Sequence, residues 1–224
     1  MMKNISLYKE HHVSHARYGN SFKIHFGYIA ALLNFLESES AIDYGCGKNR
    51  LAEKLLEYGI RNVERYDPAI PGIDRLPTGR YDCLINTDVL EHIPEDELPE
   101  ILQQFKSLSD TAIIIPHLEK ASAILPNGEN AHCTLKSPDE WGSFLLNYYR
   151  NVIQLPHHSS SHAMFICSDR DLKAERMRNI AQLISFMRIT YSVKNFGLTE
   201  RWSKRMRMAL KLLRGKKAFE KLRY

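Results

Sequence analysis

The sequence predicts an α/β fold built on a doubly wound, mostly parallel sheet. Short apolar segments rich in β-branched residues alternate with helical segments, and a glycine turn follows the first of them. Only a hairpin-length loop separates the last two such segments. Strands joined through helices run parallel, whereas two strands joined by a short loop run antiparallel. We therefore expect a sheet with helices on both faces and an antiparallel final strand.

The elements of the first half follow from local patterns. Apolar residues at spacings of three and four predict a helix over 22–36, and a buried strand over 41–45 follows it. A helix over 50–58 ends at a glycine, and alternation predicts a second strand over 62–67. Residues 68–78 contain three prolines, so we expect no normal helix and strand there.

The second half continues the alternation. A helix over 95–108 lies between strands predicted over 81–86 and 111–116, and the stretch 117–136 is irregular. A capping box, Ser-Pro-Asp-Glu, then begins a helix over 138–149. Two closing strands, at 151–155 and 163–167, complete the predicted sheet.

Composition excludes several classes of protein. The 224 residues are 44% hydrophobic and 25% charged, which is typical of a soluble globular domain with an extension. No apolar run approaches the ~20 residues that a membrane span needs, and the polar N-terminus is not typical of a signal peptide. Four scattered cysteines without a CxxC pair indicate reduced thiols in a cytoplasmic protein.

The charge is unevenly distributed. Residues 170–224 hold 16 Lys and Arg against 4 Asp and Glu, whereas residues 1–169 hold 15 against 22. We predict a cofactor-binding domain over 1–169 and a basic helical extension over 170–224. Apolar residues at helical spacing over 198–214, with basic residues outside that face, indicate either peripheral membrane contact or docking on the domain. Nucleic acid is less favoured as a partner, because no RNA-binding module is present.

The most informative segment is Asp43-Tyr44-Gly45-Cys46-Gly47-Lys48-Asn49. Ligands of doubly wound sheets bind beyond the first strand, where glycine lets the backbone approach them. Arg50 stands where a dinucleotide fingerprint needs its third glycine, and no P-loop is present. Asp67, 22 residues after Gly45, can accept two hydrogen bonds from a ribose diol. The pattern favours a ribose-containing ligand over a plain strand–turn–helix junction.

The ordered motifs resemble those of class I S-adenosylmethionine-dependent methyltransferases. The resemblance covers about residues 18–167 and depends on residues 41–47, Tyr66-Asp67 and residues 81–93. It implies a Rossmann-like fold with S-adenosylmethionine as cofactor. The glycine turn would hold the methionine part, Asp67 the ribose, and residues 87–89 would flank the adenosyl group. The residues implied to bind the cofactor are Asp43, Gly45, Cys46, Gly47, Asp67, Thr87, Asp88 and Val89.

The chain departs from the family pattern at two places. Asn49 replaces the usual third glycine, and asparagine tolerates a left-handed conformation and can cap a helix, so cofactor binding can survive. The segment between the second strand and Tyr81 is truncated. By the resemblance, Asp74 is the remnant that meets the adenine.

Methyl transfer to a hydroxyl requires an aligned acceptor and removal of its proton. Histidine suits proton removal because its unperturbed pKa lies near ~6.5. His92, His117 and His132 follow predicted strands or lie in the long loop, so we expect all three at the C-terminal rim of the sheet. The alternative for each is an ordinary loop histidine.

Two further groups of histidines can each be interpreted in more than one way. Three histidines lie within 157–162, but no carboxylate or cysteine stands at matching ligand spacing, so we expect no metal site there. Three more lie within 11–15. Their segment either folds over the cofactor as a lid or is a disordered N-terminal segment that resembles a histidine tag.

The loop over 117–136 is too long for a pure connection, so we expect it to bind the acceptor. A turn within it would present Glu129, Asn130 and His132. Residues 125–132, followed by Pro-Asp-Glu-Trp, are also similar to methyltransferases found with bacterial surface-glycan assembly enzymes. This likeness implies a sugar hydroxyl of a glycan or glycolipid precursor as acceptor. The alternatives are methylation of RNA or another small molecule, and a methyltransferase-like module that binds without turnover.

Overall fold

The computed structural model describes residues 4–14, 22–170 and 172. Within them, six strands form one sheet in the order β2-β1-β3-β4-β6-β5. β1 to β4 pair in parallel, and β6 runs antiparallel to both β4 and β5. This topology confirms the predicted mostly parallel sheet with an antiparallel final strand. The strands are β1 (Ser40–Tyr44), β2 (Asn62–Tyr66), β3 (Cys83–Thr87), β4 (Thr111–Ile115), β5 (Asn151–Leu155) and β6 (Met164–Ser168).

The helices of this region connect the strands or precede them. A short 3₁₀ turn over Leu90–His92 follows β3, and no regular element was predicted there. The N-terminal helix was also not predicted, because its apolar residues do not gather on one face. The helices are α1 (Ile5–Ser14), α2 (Phe22–Phe35), α3 (Leu51–Tyr58), α4 (Leu98–Leu108) and α5 (Pro138–Leu145).

The sheet separates two apolar clusters. Along β4, Ile113 and Ile115 pack on the side of α2 and α3, whereas Ala112 and Ile114 pack on the side of α4 and α5. This alternation follows from the two-residue period of a strand. Because helices cover both faces, β3 and β4 are buried along their whole length, as expected for parallel strands. The core therefore fixes the ends of these strands, where the site lies.

The predicted helix ends and the predicted irregular segment are largely confirmed. Gly59 ends α3 in a left-handed conformation, with φ 109°. The capping box at the start of α5 is formed, with Ser137 and Glu140 each accepting from the other's backbone amide. Residues 68–78 form no helix or strand, so β2 lies at the edge of the sheet.

The helix predicted over 138–149 is shorter in the structure and ends at Leu145. Asn147 explains the early end. Its side-chain amide donates to the carbonyls of Ser143 and Phe144, which are acceptors that the next helical turn would use. Such a side chain competes with the helical backbone.

Some predictions fall on residues that the structure does not describe. His15 lies outside the described residues, and so does the basic extension apart from residues 170 and 172. The predicted interfacial helix over 198–214 is therefore not described. In the described part of the chain, no helix is long and apolar enough to cross a membrane.

Candidate cofactor and acceptor site

A cavity of about 560 Å³ opens at the C-terminal ends of β1, β3 and β4. Its volume lies within the ~300–1,000 Å³ typical of small-molecule sites. Parallel strands bring the segments that follow them to one edge of the sheet, so residues distant in sequence meet there. The predicted site residues that line the cavity are Gly45, Cys46, Gly47, Asp67, Thr87, Asp88, Val89, His92, His117 and His132.

Two glycines shape the turn after β1. Gly45 and Gly47 have φ values of 76° and 55°, in the left-handed region that glycine enters without strain. A Cβ atom on Gly45 would also lie 2.4 Å from Cγ2 of Val89. The amide of Gly45 donates to the carbonyl of Tyr66 at 2.7 Å, which fixes the turn against the end of β2.

The carboxylate of Asp67 completes this cradle. Its Oδ2 accepts from the amide of Gly47 at 2.7 Å, and its Oδ1 accepts from the amide of Ala69 at 2.8 Å. Asp67 is buried, yet it lines the cavity. Each carboxylate oxygen can accept more than one hydrogen bond, so both retain capacity for the hydroxyls of a diol.

Asp43, by contrast, does not line the cavity and lies buried behind the turn. Burial raises its pKa to about 7. The side chain of Asn49 hydrogen-bonds to Asp43, and its Oδ1 accepts from the amide of Leu51, at the start of α3, at 2.8 Å. Asn49 thus bonds to the first residue of α3, although the N-cap position is Arg50, and Asn49 does not adopt the left-handed conformation. Asp43 therefore contacts the turn through Asn49 and does not face the cavity.

Asp88, directly after β3, joins two histidines. Its φ of 54° is left-handed, a conformation that aspartate enters more readily than most residues. Nε2 of His25 lies 3.2 Å from Oδ2 of Asp88, and Nε2 of His162 lies 3.1 Å from Oδ1. No carboxylate lies close to residues 157–162 along the sequence, but the fold brings Asp88, directly after β3, next to His162.

Histidine rings continue from there along the rim of the cavity. The ring centroids are 4.5 Å apart between His162 and His117, 4.8 Å between His117 and His132, and 4.7 Å between His132 and His92. The three histidines expected at the C-terminal rim are thus in one contiguous row.

Backbone hydrogen bonds decide where these rings carry their protons. Nδ1 of His92 donates to the carbonyl of Ala131 at 2.8 Å, and Nδ1 of His132 donates to the carbonyl of Glu119. In its neutral form, each ring therefore keeps the lone pair on Nε2. Nδ1 of His117 lies 3.1 Å from both the amide and the carbonyl of Glu119. Because that carbonyl already accepts from His132, an unprotonated Nδ1 on His117 satisfies both groups.

Burial also determines the charge of the rim. It lowers the pKa of His92 to about 4, so this ring is neutral at pH 7. The pKa of His117 is lowered by burial and by the neighbouring His162 and His132. Neutral imidazoles can accept a proton, which is the chemistry that a hydroxyl acceptor requires.

A carboxyl group lies between two of these rings. Glu91 is fully buried, lines the cavity, and has no hydrogen-bond partner of normal geometry on either oxygen. Nε2 of His132 lies 3.9 Å from its Oε1. Burial and the charge of Asp88 raise the pKa of Glu91 well above its usual range. The carboxyl group thus borders the cavity near the backbone amides of Val89, Glu91 and His117, without a hydrogen bond of normal geometry.

Sequence comparison supplies the family. A family model described as "Methyltransferase domain" matches residues 23–162, more than half of the chain. The chain belongs to this methyltransferase family. The methyltransferase expectation is thereby confirmed, with S-adenosylmethionine as the methyl donor. No curated protein sequence matches the methyltransferase.

Solved structures resemble the methyltransferase only distantly. The 1,6-didemethyltoxoflavin-N1-methyltransferase of Burkholderia thailandensis is 13% identical, with 72% of this chain and 86% of that chain covered and a TM-score of 0.48. The methyltransferase domain of a bacterial Hen1 is 17% identical, with coverages of 65% and 98% and a TM-score of 0.49. DhpI, in complex with S-adenosylhomocysteine, is 13% identical, with coverages of 74% and 98% and a TM-score of 0.49. At these values the similarities carry no argument about substrate.

Helix α1 covers one side of the methyltransferase cavity, in agreement with the lid alternative for the N-terminal segment. Asn4, Ile5 and Tyr8 line the cavity. The hydroxyl of Tyr8 donates to the carbonyl of Ala131 at 2.7 Å and lies 3.2 Å from the carbonyl of His92. α1 is therefore joined both to the rim and to the long loop.

The long loop differs from its prediction. Only His132 of its three proposed acceptor contacts lines the cavity. The side chain of Asn130 instead braces the loop, bonding to both backbone groups of Ala121 and to the amide of His132. Glu129 is exposed and bonds to Asn127. The loop therefore contributes His132 and residues 120–123 to the cavity, and not Glu129 or Asn130.

Sequence reasoning also missed or misplaced other residues. His25 and Glu91 were not proposed, although His25 stands on the apolar face of a predicted helix and Glu91 directly precedes His92. A fully buried polar residue in such a position often has a specific partner. Asp74, expected to meet the adenine, is exposed and does not line the cavity.

Proposed function

We propose that this methyltransferase transfers the methyl group of S-adenosylmethionine to a sugar hydroxyl of a glycan or glycolipid precursor. One observation carries the proposal: a single cavity joins the Asp67 carboxylate and the glycine turn to a row of histidines. The cofactor end and the proton-accepting end are thus part of one space. This is the arrangement that methyl transfer to a hydroxyl needs.

At the cofactor end, we assign the ribose hydroxyls to Asp67 and the methionine part to the backbone of residues 45–47. Thr87 and Val89 lie beside them along the same edge of the cavity. Asp88 differs, because its carboxylate oxygens already bond to His25 and His162. We therefore assign Asp88 to orienting the histidine rim.

At the acceptor end, an oxygen lone pair of the hydroxyl attacks the methyl carbon. The carbon–sulfur bond breaks, its electron pair stays on sulfur, and S-adenosylhomocysteine forms. The hydroxyl proton leaves to a neutral imidazole. His92 and His132 suit this role because their Nε2 atoms carry the lone pair, whereas Nε2 of His117 carries a proton that it can donate to the acceptor.

Two measurements test the proposal in sequence. Titration calorimetry with S-adenosylmethionine and S-adenosylhomocysteine should give one site per chain. Transfer of a tritiated methyl group should then label sugar or lipid-linked sugar acceptors and release S-adenosylhomocysteine. Label on RNA or on another small molecule would favour the alternative acceptors. Cofactor binding with no transfer to any acceptor would favour a binding module without turnover.

A lipid-linked acceptor would also give the basic extension a purpose. Each Lys or Arg near an anionic leaflet contributes about 1 kcal/mol of attraction. We expect the full chain to pellet with anionic liposomes, and a chain lacking residues 195–224 to remain in solution. Pelleting with RNA instead would favour nucleic acid as the partner of the extension.

A further inference from the structure

We propose that Glu91, His92 and His132 form a binding site for one divalent transition-metal ion at the acceptor end of the cavity. One ligand atom of each residue lies within 4.8 Å of the other two. Two imidazoles and one carboxylate form a ligand set that catalytic zinc sites use, with coordination positions left open for a further ligand. All three residues line the cavity, so those positions would face the acceptor.

The orientation of the two rings supports a metal site. A ligating histidine usually donates its other ring N–H to a carbonyl or carboxylate, which fixes the tautomer. His92 and His132 both do so, through Nδ1 to the carbonyls of Ala131 and Glu119. Nε2 is then the nitrogen that offers a lone pair on each ring.

The buried carboxyl group supports it independently. A buried polar group without a partner is costly, and buried carboxylates are usually paired or bound to a metal. Neither oxygen of Glu91 has a hydrogen-bond partner of normal geometry, although the backbone amides of Val89, Glu91 and His117 lie near the carboxyl group. The carbonyl of Glu91 accepts from the amides of Cys133 and Thr134. The backbone is thus held firmly while neither carboxyl oxygen makes a hydrogen bond of normal geometry, and a cation would supply the missing partner.

A second group, His25, Asp88 and His162, also brings three ligand atoms within 4.8 Å of one another. Its interactions differ, because each oxygen of Asp88 already accepts from one ring. The carboxylate of this group is satisfied without an ion. It provides a matched control, because it also combines two histidines with one carboxyl group whose ligand atoms lie within 4.8 Å of one another.

The inference rests on the proposed function in one respect, which is that the open positions receive the acceptor hydroxyl. An ion there lowers the pKa of a bound hydroxyl, so the hydroxyl releases its proton to solvent water and the metal-bound oxygen attacks the methyl carbon as an alkoxide. The histidines would then act as ligands rather than as the proton acceptor.

Calorimetric titration of the EDTA-treated full chain with Zn²⁺, Mn²⁺ and Mg²⁺ tests the site directly. We expect one Zn²⁺ per chain that depends on Glu91 and His132. Mg²⁺ should bind at least about 100-fold more weakly, because imidazole ligands favour zinc over magnesium. A chain that binds Zn²⁺ no more tightly than Mg²⁺ would refute the inference.

Substitutions in the two groups of residues show which group binds the ion. Glu91→Gln and His132→Asn should each weaken Zn²⁺ binding by about 10- to 100-fold or more. Glu91→Gln keeps the shape and volume of the side chain, so it should fold as the wild type does. His162→Asn in the control group should leave Zn²⁺ affinity within about threefold. Affinity that follows His162 and ignores Glu91 would also refute the inference.

A parallel titration with S-adenosylhomocysteine separates the two proposals. If S-adenosylhomocysteine binds and Zn²⁺ does not, the metal site is refuted and the proposed function stands. If Zn²⁺ binds at Glu91 and S-adenosylhomocysteine does not bind, the proposed function fails while the metal site is retained.

Discussion

The backbone amide of Gly47 donates a 2.7 Å hydrogen bond to Oδ2 of Asp67. This bond joins the turn after β1 to the end of β2, so one carboxylate both shapes the turn and faces the cavity. The residues assigned to the methionine part and to the ribose are thereby coupled.

Replacing Asp67 tests that coupling. Asp67→Asn removes a charged acceptor, and hydrogen bonds to charged groups contribute about 1.5–3 kcal/mol. We expect the affinity for S-adenosylhomocysteine to fall by about 10- to 100-fold, measured by calorimetry. Asp74→Asn should change it less than about twofold, because Asp74 is exposed and outside the cavity lining. A larger loss at Asp74 would restore the adenine contact implied by the family resemblance.

Gly45→Ala should destabilise the fold more than Gly128→Ala. Both glycines have positive φ, at 76° and 85°, so both variants carry a similar backbone cost of ~1–2 kcal/mol. Only at Gly45 does the new methyl meet another atom, Cγ2 of Val89 at 2.4 Å, whereas nothing lies within 4 Å at Gly128. Overpacking adds about 1–3 kcal/mol, which urea unfolding can measure.

A second substitution checks the cause of that difference. Adding Val89→Ala to Gly45→Ala should recover part of the lost stability, because it removes the clashing methyl groups. Equal destabilisation by Gly45→Ala and Gly128→Ala would contradict this explanation.

Asp43 should make stability depend on pH. Burial raises its folded pKa to about 7, above its usual value of 3.8, so the folded state holds the proton more tightly. This contribution is fully present below about pH 4 and is lost as the pH rises to about 7. Asp43→Asn should remove that decline from urea unfolding curves recorded between pH 5 and 8. An unchanged slope in the variant would assign the decline to another group.

Tyr8→Phe should release α1 without unfolding the domain. The substitution removes the hydroxyl that donates to the carbonyl of Ala131, a bond of about 1 kcal/mol. We expect faster amide hydrogen exchange over residues 4–14 and little change in Tm. Uniformly faster exchange across the sheet strands would instead indicate that Tyr8 stabilises the whole fold.

The fold was largely predictable from the sequence because its signals are local. The alternating strands and helices, the glycine that ends α3 and the capping box before α5 each depend on neighbouring residues. The same locality placed His92, His117 and His132 at the rim, since each follows a strand or lies in the loop beyond one. α1 lacked such a signal, and α5 ended early because a single side chain, Asn147, competed for its carbonyls.

The sequence by itself determined the sheet, the turn at Gly45 and Gly47, and the strand end that carries Asp67. Only the tertiary structure decided which side chains meet. Asp88 bonds to His25 and His162, and neither carboxyl oxygen of Glu91 makes a hydrogen bond of normal geometry. Periodicity and capping act over a few residues along the chain. Side-chain pairing and ring protonation depend on which strand ends meet across the sheet, and spacing along the chain carries no information about that.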